Sequence, residues 1–460
     1  MESAPLTHKR HKQMTSPPFV IEKPVHGGFG LSHDTDGTAL LIEGVLPGET
    51  VQATLSEKRK TLKQGVVTQI LNPSPQRILP PCPLYKKCGG CDFQHMTYPC
   101  QLQVKEEVLK DLLRMTGHPL LHQAADTLLS PLLPSPGQFH YRQRIRLQVD
   151  GQQVVGFHGR RSHNCVAVSN CLLARPEIND CLQELLAHPS CHRLRPHMEG
   201  LEILFNPERS DLILLFHFQR RPRPGDENNA RNLVRELRGV AGIFFTGEGF
   251  ALSGPYSDAP SEDAATLSFT LPPLPPYTDK PLVLSWETGG FCQVNLEQNI
   301  TLITTTLDSC KPKKGDSILD LFCGMGNFSI PLAERAESVL GIEGQGSAIR
   351  SARKNSSQAG QTNTEFKKRP IHQACEELLQ DGRKFDSIVV DPPRQGVPGL
   401  ARNLSLLCRN RLVYISCNPV TLCRDLSELL EQGFSLTGLQ PMDMFPQTHH
   451  IETVALLEKA

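Results

Sequence analysis

Residues 317–328 read SILDLFCGMGNF. A strand-like apolar run ends at Phe322, and Gly324 and Gly326 then let the chain turn close to whatever lies at the strand's tip. Three runs of the same kind follow: SVLGIEG (338–344), SIVVDPP (387–393) and RLVYISC (411–417), with helical patterns between them. Alternation of strand and helix from residue 286 to 460 predicts a parallel, doubly wound α/β sheet. Such sheets bind ligands outside the carboxyl ends of their strands. The four strand tips are therefore where the chemistry is sought.

At the first tip, Asn327 opens the helix after the Gly-x-Gly turn. Alone, that turn would serve a nicotinamide dinucleotide equally well, or nothing beyond the turn itself. The second tip ends in Glu343, one strand–helix–strand unit further on, where an acid suits ribose hydroxyls. The pair points to an adenosine-bearing cofactor. The third tip, VVDPPRQG, sets Asp391 on a rigid diproline exit. Nucleic-acid amino-methyltransferases use a related Asp/Asn-Pro-Pro followed by an aromatic residue. Arg394 stands in that place here, so no platform stacks an adenine.

The fourth tip is Cys417, in VYISCNPVTL (413–422). Cysteine is usually a small buried hydrophobe. At a strand tip beside a methyl-donating cofactor it suits covalent catalysis. The C5 carbon of uracil or cytosine is too weak a nucleophile to take a methyl directly. A thiolate adding at C6 makes C5 enolate-like; C5 then attacks the sulfonium methyl of S-adenosylmethionine. A base removes the C5 proton and the thiol leaves. Cys417 supplies the nucleophile and Asp391 a hydrogen bond to the base edge. Glu452 begins an apolar strand pattern in MDMFPQTHHIETVALLE (442–458) and is the candidate base. His449 and His450 beside it read as supports or surface residues.

The rest of the chain bounds the setting. At 460 residues with 38% hydrophobic content, two to four domains are expected. No run approaches a membrane span, and the first twenty residues lack a secretory apolar core, so a cytoplasmic location is expected. Residues 1–18 read as a mobile basic arm. Residues 19–76 alternate apolar and polar residues between Gly, Asp-Gly and Pro-Gly turns, which predicts a small OB-like β-barrel of a nucleic-acid-binding kind. PSPQRILPPCP then reads as a stiff linker. Residues 77–285 look like a central α+β domain, in which about 93–124 could pack on the catalytic domain, and 286–460 form that catalytic domain.

Lys+Arg and Asp+Glu are equal at 48 each, so overall charge names no polyanionic partner. Local clusters do stand out: Lys58-Arg59-Lys60 with Lys63, Arg142, Arg144 and Arg146 in YRQRIRLQV, and Arg220-Arg221 with Arg223. Such runs are most often solvated faces. The arginines of YRQRIRLQV alternate with apolar residues, which suits a basic surface backed by a core. Fifteen cysteines in a chain of this kind favour metal binding or catalysis over disulfides.

Together, DLFCGMGNF, GIEG, DPPRQG, ISCNP and HIETV resemble the motifs of the RNA uracil-5-methyltransferase family, over nearly the whole chain. The N-terminal barrel resembles that family's RNA-binding TRAM domain, and the C-terminal domain its class I methyltransferase fold. The resemblance implies Cys417 as nucleophile and Glu452 as base. It implies S-adenosylmethionine contacts from Gln293 (in FCQVN), Phe322, Asn327 and Glu343, with Asp391 at the cofactor–base junction. One further cofactor contact of the family falls where this chain reads FKKRPIHQAC (366–375), which departs from the pattern and leaves that contact unplaced.

The segment CPLYKKCGGCDFQH spaces Cys82, Cys88 and Cys91 in a way that suits an iron–sulfur cluster with a distant fourth cysteine. Zinc, which prefers paired C-x-x-C or histidine partners, is the second choice. The rRNA branch of the family carries a [4Fe-4S] cluster on this motif, and its fourth ligand matches Cys171, with Cys165 as rival. A structural role for the cluster is expected, since methyl transfer needs no electrons.

The implied substrate is RNA, 23S rRNA before tRNA, because the tRNA branch generally lacks both the barrel and the cysteine motif. The target uridine would be flipped out of a loop or single strand. Phe291 is a candidate to stack on it, and Arg142 and Arg144 to hold phosphates. The barrel's lysines would add salt-sensitive affinity. The protein is expected to act as a monomer. Two other readings stay open: an RNA-binding ribosome-assembly factor without catalysis, and cytosine-5 methylation. The latter is disfavoured because no Pro-Cys lies in the α/β segment.

Overall fold

The structure, a computed structural model, describes residues 18–59, 62–257 and 265–459. Most of the expected basic arm, and Lys60 of the barrel's basic cluster, lie outside them. The chain divides into two compact units. One comprises residues up to Pro81 with Asp92–Val108 and Gln447–His449; the other comprises Cys82–Cys91, Leu109–Pro446 and His450–Ala460. No described helix is long and apolar enough to cross a membrane.

The first unit is built on a six-stranded sheet in the order Phe19–Val20, Thr50–Arg59, Leu62–Asn72, Ala39–Glu43, Phe29–His33, Lys23–Val25. Four of its strands are short and turn-punctuated, as the Asp-Gly and Pro-Gly pairs foretell, while Thr50–Arg59 and Leu62–Asn72 run ten and eleven residues. Phe19, Ile21, Leu40, Ile42 and Val51 fill its core. Lys63 donates to Asp34 at 2.8 Å, so part of the expected basic cluster is neutralised within the sheet.

The second unit holds two seven-stranded sheets. The first runs Phe250–Tyr256, Val240–Gly247, Asp211–Phe218, Met198–Asn206, Arg144–Val149, Val155–His158, Cys165–Ala167. In Arg144–Val149 the alternation read from sequence holds: Ile145 and Leu147 are buried and Arg146 is exposed. The basic face is not free, however. Glu202 of the neighbouring strand, itself buried, accepts Arg144 Nε at 2.7 Å and pairs with His217 Nε2 at 2.8 Å. A buried carboxylate is tolerated only when paired in this way.

The second sheet positions the site. Its order is Thr364–Lys368, Ser338–Glu343, Ser317–Leu321, Phe385–Val390, Cys408–Ser416, Glu452–Lys459, Phe434–Met442. The first five strands are parallel. Glu452–Lys459 enters antiparallel between Cys408–Ser416 and the edge strand. Helices cover both faces, so the central strands read as continuous apolar runs, with Ile318, Leu319, Leu321, Ile388, Val389 and Val390 fully buried. Strand order reverses between Ser317–Leu321 and Phe385–Val390, where a doubly wound sheet opens its crevice.

Candidate active site

A cleft of about 530 Å³ opens at these strand ends. It is lined by Phe322, Gly324 and Met325 from the first tip, Glu343 and Gln345 from the second, and Asp391 to Arg394 from the third. Cys417 closes the fourth, and Glu452, His450, Gln293, Phe291 and Trp286 complete the wall. Of the site residues expected from sequence, Gln293, Phe322, Glu343, Asp391, Cys417 and Glu452 thus share one cavity. Asn327 does not line it: its side-chain amide forms a reciprocal pair with that of Asn299, both bonds at 3.0 Å.

The first tip is a strained turn. Phe322 has φ +63°, a left-handed value unfavourable for a residue with a Cβ. Gly326 has φ +88°, and a Cβ there would come within 2.9 Å of Ile330. Strain held in place by neighbours is common where a backbone must approach a ligand. At the second tip, Glu343 Oε1 accepts the Gln345 amide at 2.8 Å, which orients one carboxylate oxygen and leaves the other for a ligand.

The third and fourth tips are clamped to each other. Asn418 caps the Pro419–Glu431 helix, accepting the Val420 amide at 3.1 Å, and its Nδ2 donates to Arg394 O at 3.1 Å. Thr421 Oγ1 donates to the same carbonyl at 3.0 Å. Asp425, buried in the helix, accepts the Val397 amide at 2.8 Å and the Tyr414 hydroxyl at 2.5 Å. Asp425 and Thr421 carry no motif signal in the sequence; they emerge only once helix and loop are seen together.

Cys417 and Glu452 meet because their strands are antiparallel neighbours. The ladder ends at the pair Ser416–Thr453; Cys417 follows the one and Glu452 precedes the other, and both line the cleft. Loss of hydration pushes the Cys417 thiol up to about 11; Glu452 and Asp391 add to this, and Arg394 opposes it. Burial pushes Glu452 well above an ordinary carboxyl, with Asp391 acting in the same direction. Asp391 is raised to about 7 by loss of hydration and by the neighbouring Asp320. The Cys417 thiol therefore rests protonated at neutral pH. A thiol beside a carboxyl of raised proton affinity can exchange a proton without charge entering from water. His450 Nε2 lies 3.4 Å from Arg394 Nη2, whereas His449 is held by Asp92 at 2.6 Å. Phe291 is 65% exposed at the cleft, free for a flat ligand.

The motif cysteines lie apart from this cleft's lining. Gly89 N donates to His158 O at 3.0 Å and Arg160 N to Lys87 O at 2.9 Å, which folds the Cys88 turn onto the Val155–His158 hairpin. Burial pushes the Cys88 thiol up; Cys171 and Cys82 act in the same direction and Arg160 opposes them. Cys91 and Cys171 share the electrostatic neighbourhood of Arg142. Cys165 turns elsewhere, its Sγ 3.8 Å from Gln148 O. Among the described residues, no group of three or more His, Cys, Asp or Glu side chains is arranged to hold a metal ion. Thiols are the donors an iron–sulfur cluster takes, but these are not arranged as a closed ligand set.

Strand order and cleft together set a thiol beside a buried carboxyl in the crevice of a doubly wound sheet. The 23S rRNA (uracil(1939)-C(5))-methyltransferase RlmD of Vibrio campbellii is 32% identical over 444 residues, covering 96% of this chain and 95% of that protein. Its counterpart in Hahella chejuensis is 34% identical over 454 residues, 96% of each chain. The chain belongs to the RNA (uracil-5-)-methyltransferase family. Residues 275–460 also match the family model of tRNA (Uracil-5-)-methyltransferase. The crystal structure of a Pyrococcus abyssi tRNA (uracil-54, C5)-methyltransferase in complex with S-adenosyl-L-homocysteine shares the fold. Its TM-score is 0.68 at 23% identity, over 96% of this chain and all of that one.

Proposed function

We propose that this enzyme methylates uracil C5 in 23S rRNA to give 5-methyluridine, through a covalent bond between Cys417 Sγ and C6. The observation that carries the reading is the pairing of Cys417 with Glu452 in the cleft that also holds Phe322, Glu343 and Asp391. The uracil would enter flipped out, with Phe291 offering a stacking face. Cys417 loses its proton to solvent and adds to C6 as the thiolate; the C5=C6 electron pair shifts toward the C4 carbonyl, which makes C5 enolate-like and nucleophilic. S-adenosylmethionine, when bound, supplies the electrophilic methyl that C5 accepts. Gln293, Phe322 and Glu343 would hold it, Asp391 would meet the base edge, and Asn327, paired with Asn299, would brace the turn that carries Phe322. Glu452, as the carboxylate, takes the C5 proton; the C5=C6 bond re-forms, the Sγ–C6 bond breaks, and Cys417 leaves as the thiolate.

Cys82, Cys88, Cys91 and Cys171 would hold a [4Fe-4S] cluster as a structural staple; the shared neighbourhood of these thiols supports Cys171 over Cys165. The sheet over residues 19–76 would serve as a TRAM-type RNA-binding module, 77–285 as the central domain and 286–460 as the catalytic domain. We take the enzyme to be a cytoplasmic monomer.

The test is methyl transfer from labelled cofactor to unmodified 23S rRNA and tRNA offered separately, with the product nucleoside identified by mass spectrometry. 5-Methyluridine in rRNA alone supports the reading. Label in tRNA alone moves the substrate to the RNA named by the matching family model and by the Pyrococcus enzyme. No label with cofactor bound leaves an RNA-binding assembly factor.

A further inference from the structure

We infer that Gln143, remote in sequence from every motif of the site, is a positioning residue for Gln293 and hence for cofactor binding. The inference rests on the proposed cofactor role of Gln293. Residues 140–143 form a strap with two bonded edges. On one edge, the His140 amide donates to Leu172 O and the Arg142 amide to Leu173 O, each at 2.8 Å. On the other, the Gln143 amide donates to Val294 O at 3.0 Å, and Gln143 Nε2 donates to Gln293 O at 2.6 Å. The strap thus ties the segment just after Cys171 to the backbone of a cleft-lining residue.

Gln143 is only 4% exposed, so no water replaces its donor if the side chain is lost. Upstream of Gln293 the chain has little stiffness of its own: Gly289 and Gly290 precede it, Gly289 at φ +84°. Arg144 Nη1 donates to Gly290 O at 3.1 Å and Cys292 is packed in the core, but among the described residues no hydrogen bond on that side fixes the Gln293 peptide plane. Downstream, Asn295 is fixed by Ser135 Oγ at 3.0 Å and Met444 O at 3.2 Å. Between the glycines and Asn295, the Gln293 carbonyl is set by Gln143. A rotated peptide there would swing the Gln293 side chain out of the cleft.

The test is a double-mutant cycle on the full-length enzyme, with S-adenosylhomocysteine affinity by calorimetry, cofactor KM and kcat, and thermal melting as readouts. Gln143→Leu removes the donor. Gln143→Glu keeps the size and turns an acceptor toward the carbonyl, so it serves if the leucine variant folds poorly. Each is expected to raise Kd and cofactor KM roughly tenfold, the worth of one stranded buried acceptor, with kcat nearly unchanged. Combined with Gln293→Ala, Gln143→Leu should add nothing further. Normal affinity in a Gln143→Leu enzyme, beside weakened Gln293→Ala, overturns the positioning role alone, as do additive losses in the double variant. Normal affinity in Gln293→Ala removes the cofactor role of Gln293 and this inference with it.

Discussion

Replacing Asp425 by alanine tests whether the third and fourth strand tips act as one clamped body. The Asp425 carboxylate receives the Val397 amide and the Tyr414 hydroxyl, and both of those residues are buried. The substitution strands two buried donors at once. At roughly 1–3 kcal/mol for each unsatisfied group, the loss should be about 2–6 kcal/mol of unfolding free energy. Arg424 Nε, which lies 2.8 Å from Asp425 Oδ1, is partly exposed and can turn to water, so it adds little. The catalytic cost should exceed the binding cost. Freed at Val397, the Asp391–Val397 loop loses its register against Cys417, and a displacement of about 1 Å in a reacting group is worth on the order of a hundredfold in rate. Urea denaturation with single-turnover methylation below the melting range reads both effects. Asp425→Asn keeps one acceptor and should fall between. A loss of less than about 1 kcal/mol for the alanine variant, with single-turnover rate intact, would show that the clamp does not hold the loop.

Three further outcomes follow from the same geometry. Cys417→Ala should abolish turnover while S-adenosylhomocysteine still binds; residual turnover near wild type sinks the covalent route. Glu452→Gln, isosteric in its buried setting, should slow turnover by roughly 10²–10⁴-fold and leave a protein–RNA adduct on a denaturing gel, so absence of the adduct points to another base. With its thiol raised to about 11, Cys417 is almost wholly protonated at neutral pH. Its alkylation by iodoacetamide in the free enzyme, followed by peptide mass mapping, should rise about tenfold per pH unit between pH 7 and 10; a rate flat across that range would mean the thiolate is already formed.

The parts of the site legible in the sequence were those where a strand ends. A β-prone run followed by Gly-x-Gly, a lone acid, Asp-Pro-Pro or Cys-Asn-Pro signals a tip by local chemistry, and four such tips in order imply the parallel sheet. Relations between distant segments were not legible. Asp425 sits in an amphipathic helix and looks like any solvated acid until the Val397 amide and the Tyr414 hydroxyl are placed against it. Arg144 reads as a surface cation because its partner Glu202 comes from a strand more than fifty residues away. Asn327 follows the glycine turn and reads as a ligand contact, yet it turns to Asn299. Pairing across sequence distance is set by packing, and periodicity does not encode it.

The insertion of Glu452–Lys459 against the Cys417 strand makes the distance between thiol and carboxyl a matter of whole numbers. A ladder can be re-registered only in steps of about 3.4 Å, and a single step turns every side chain of the strand to the opposite face. One residue inserted between Glu452 and Val454 would turn Glu452 away from the cleft. The separation of the two groups is therefore inherited from hydrogen-bond register, and natural variation can retouch it only through the residues packed around the pair.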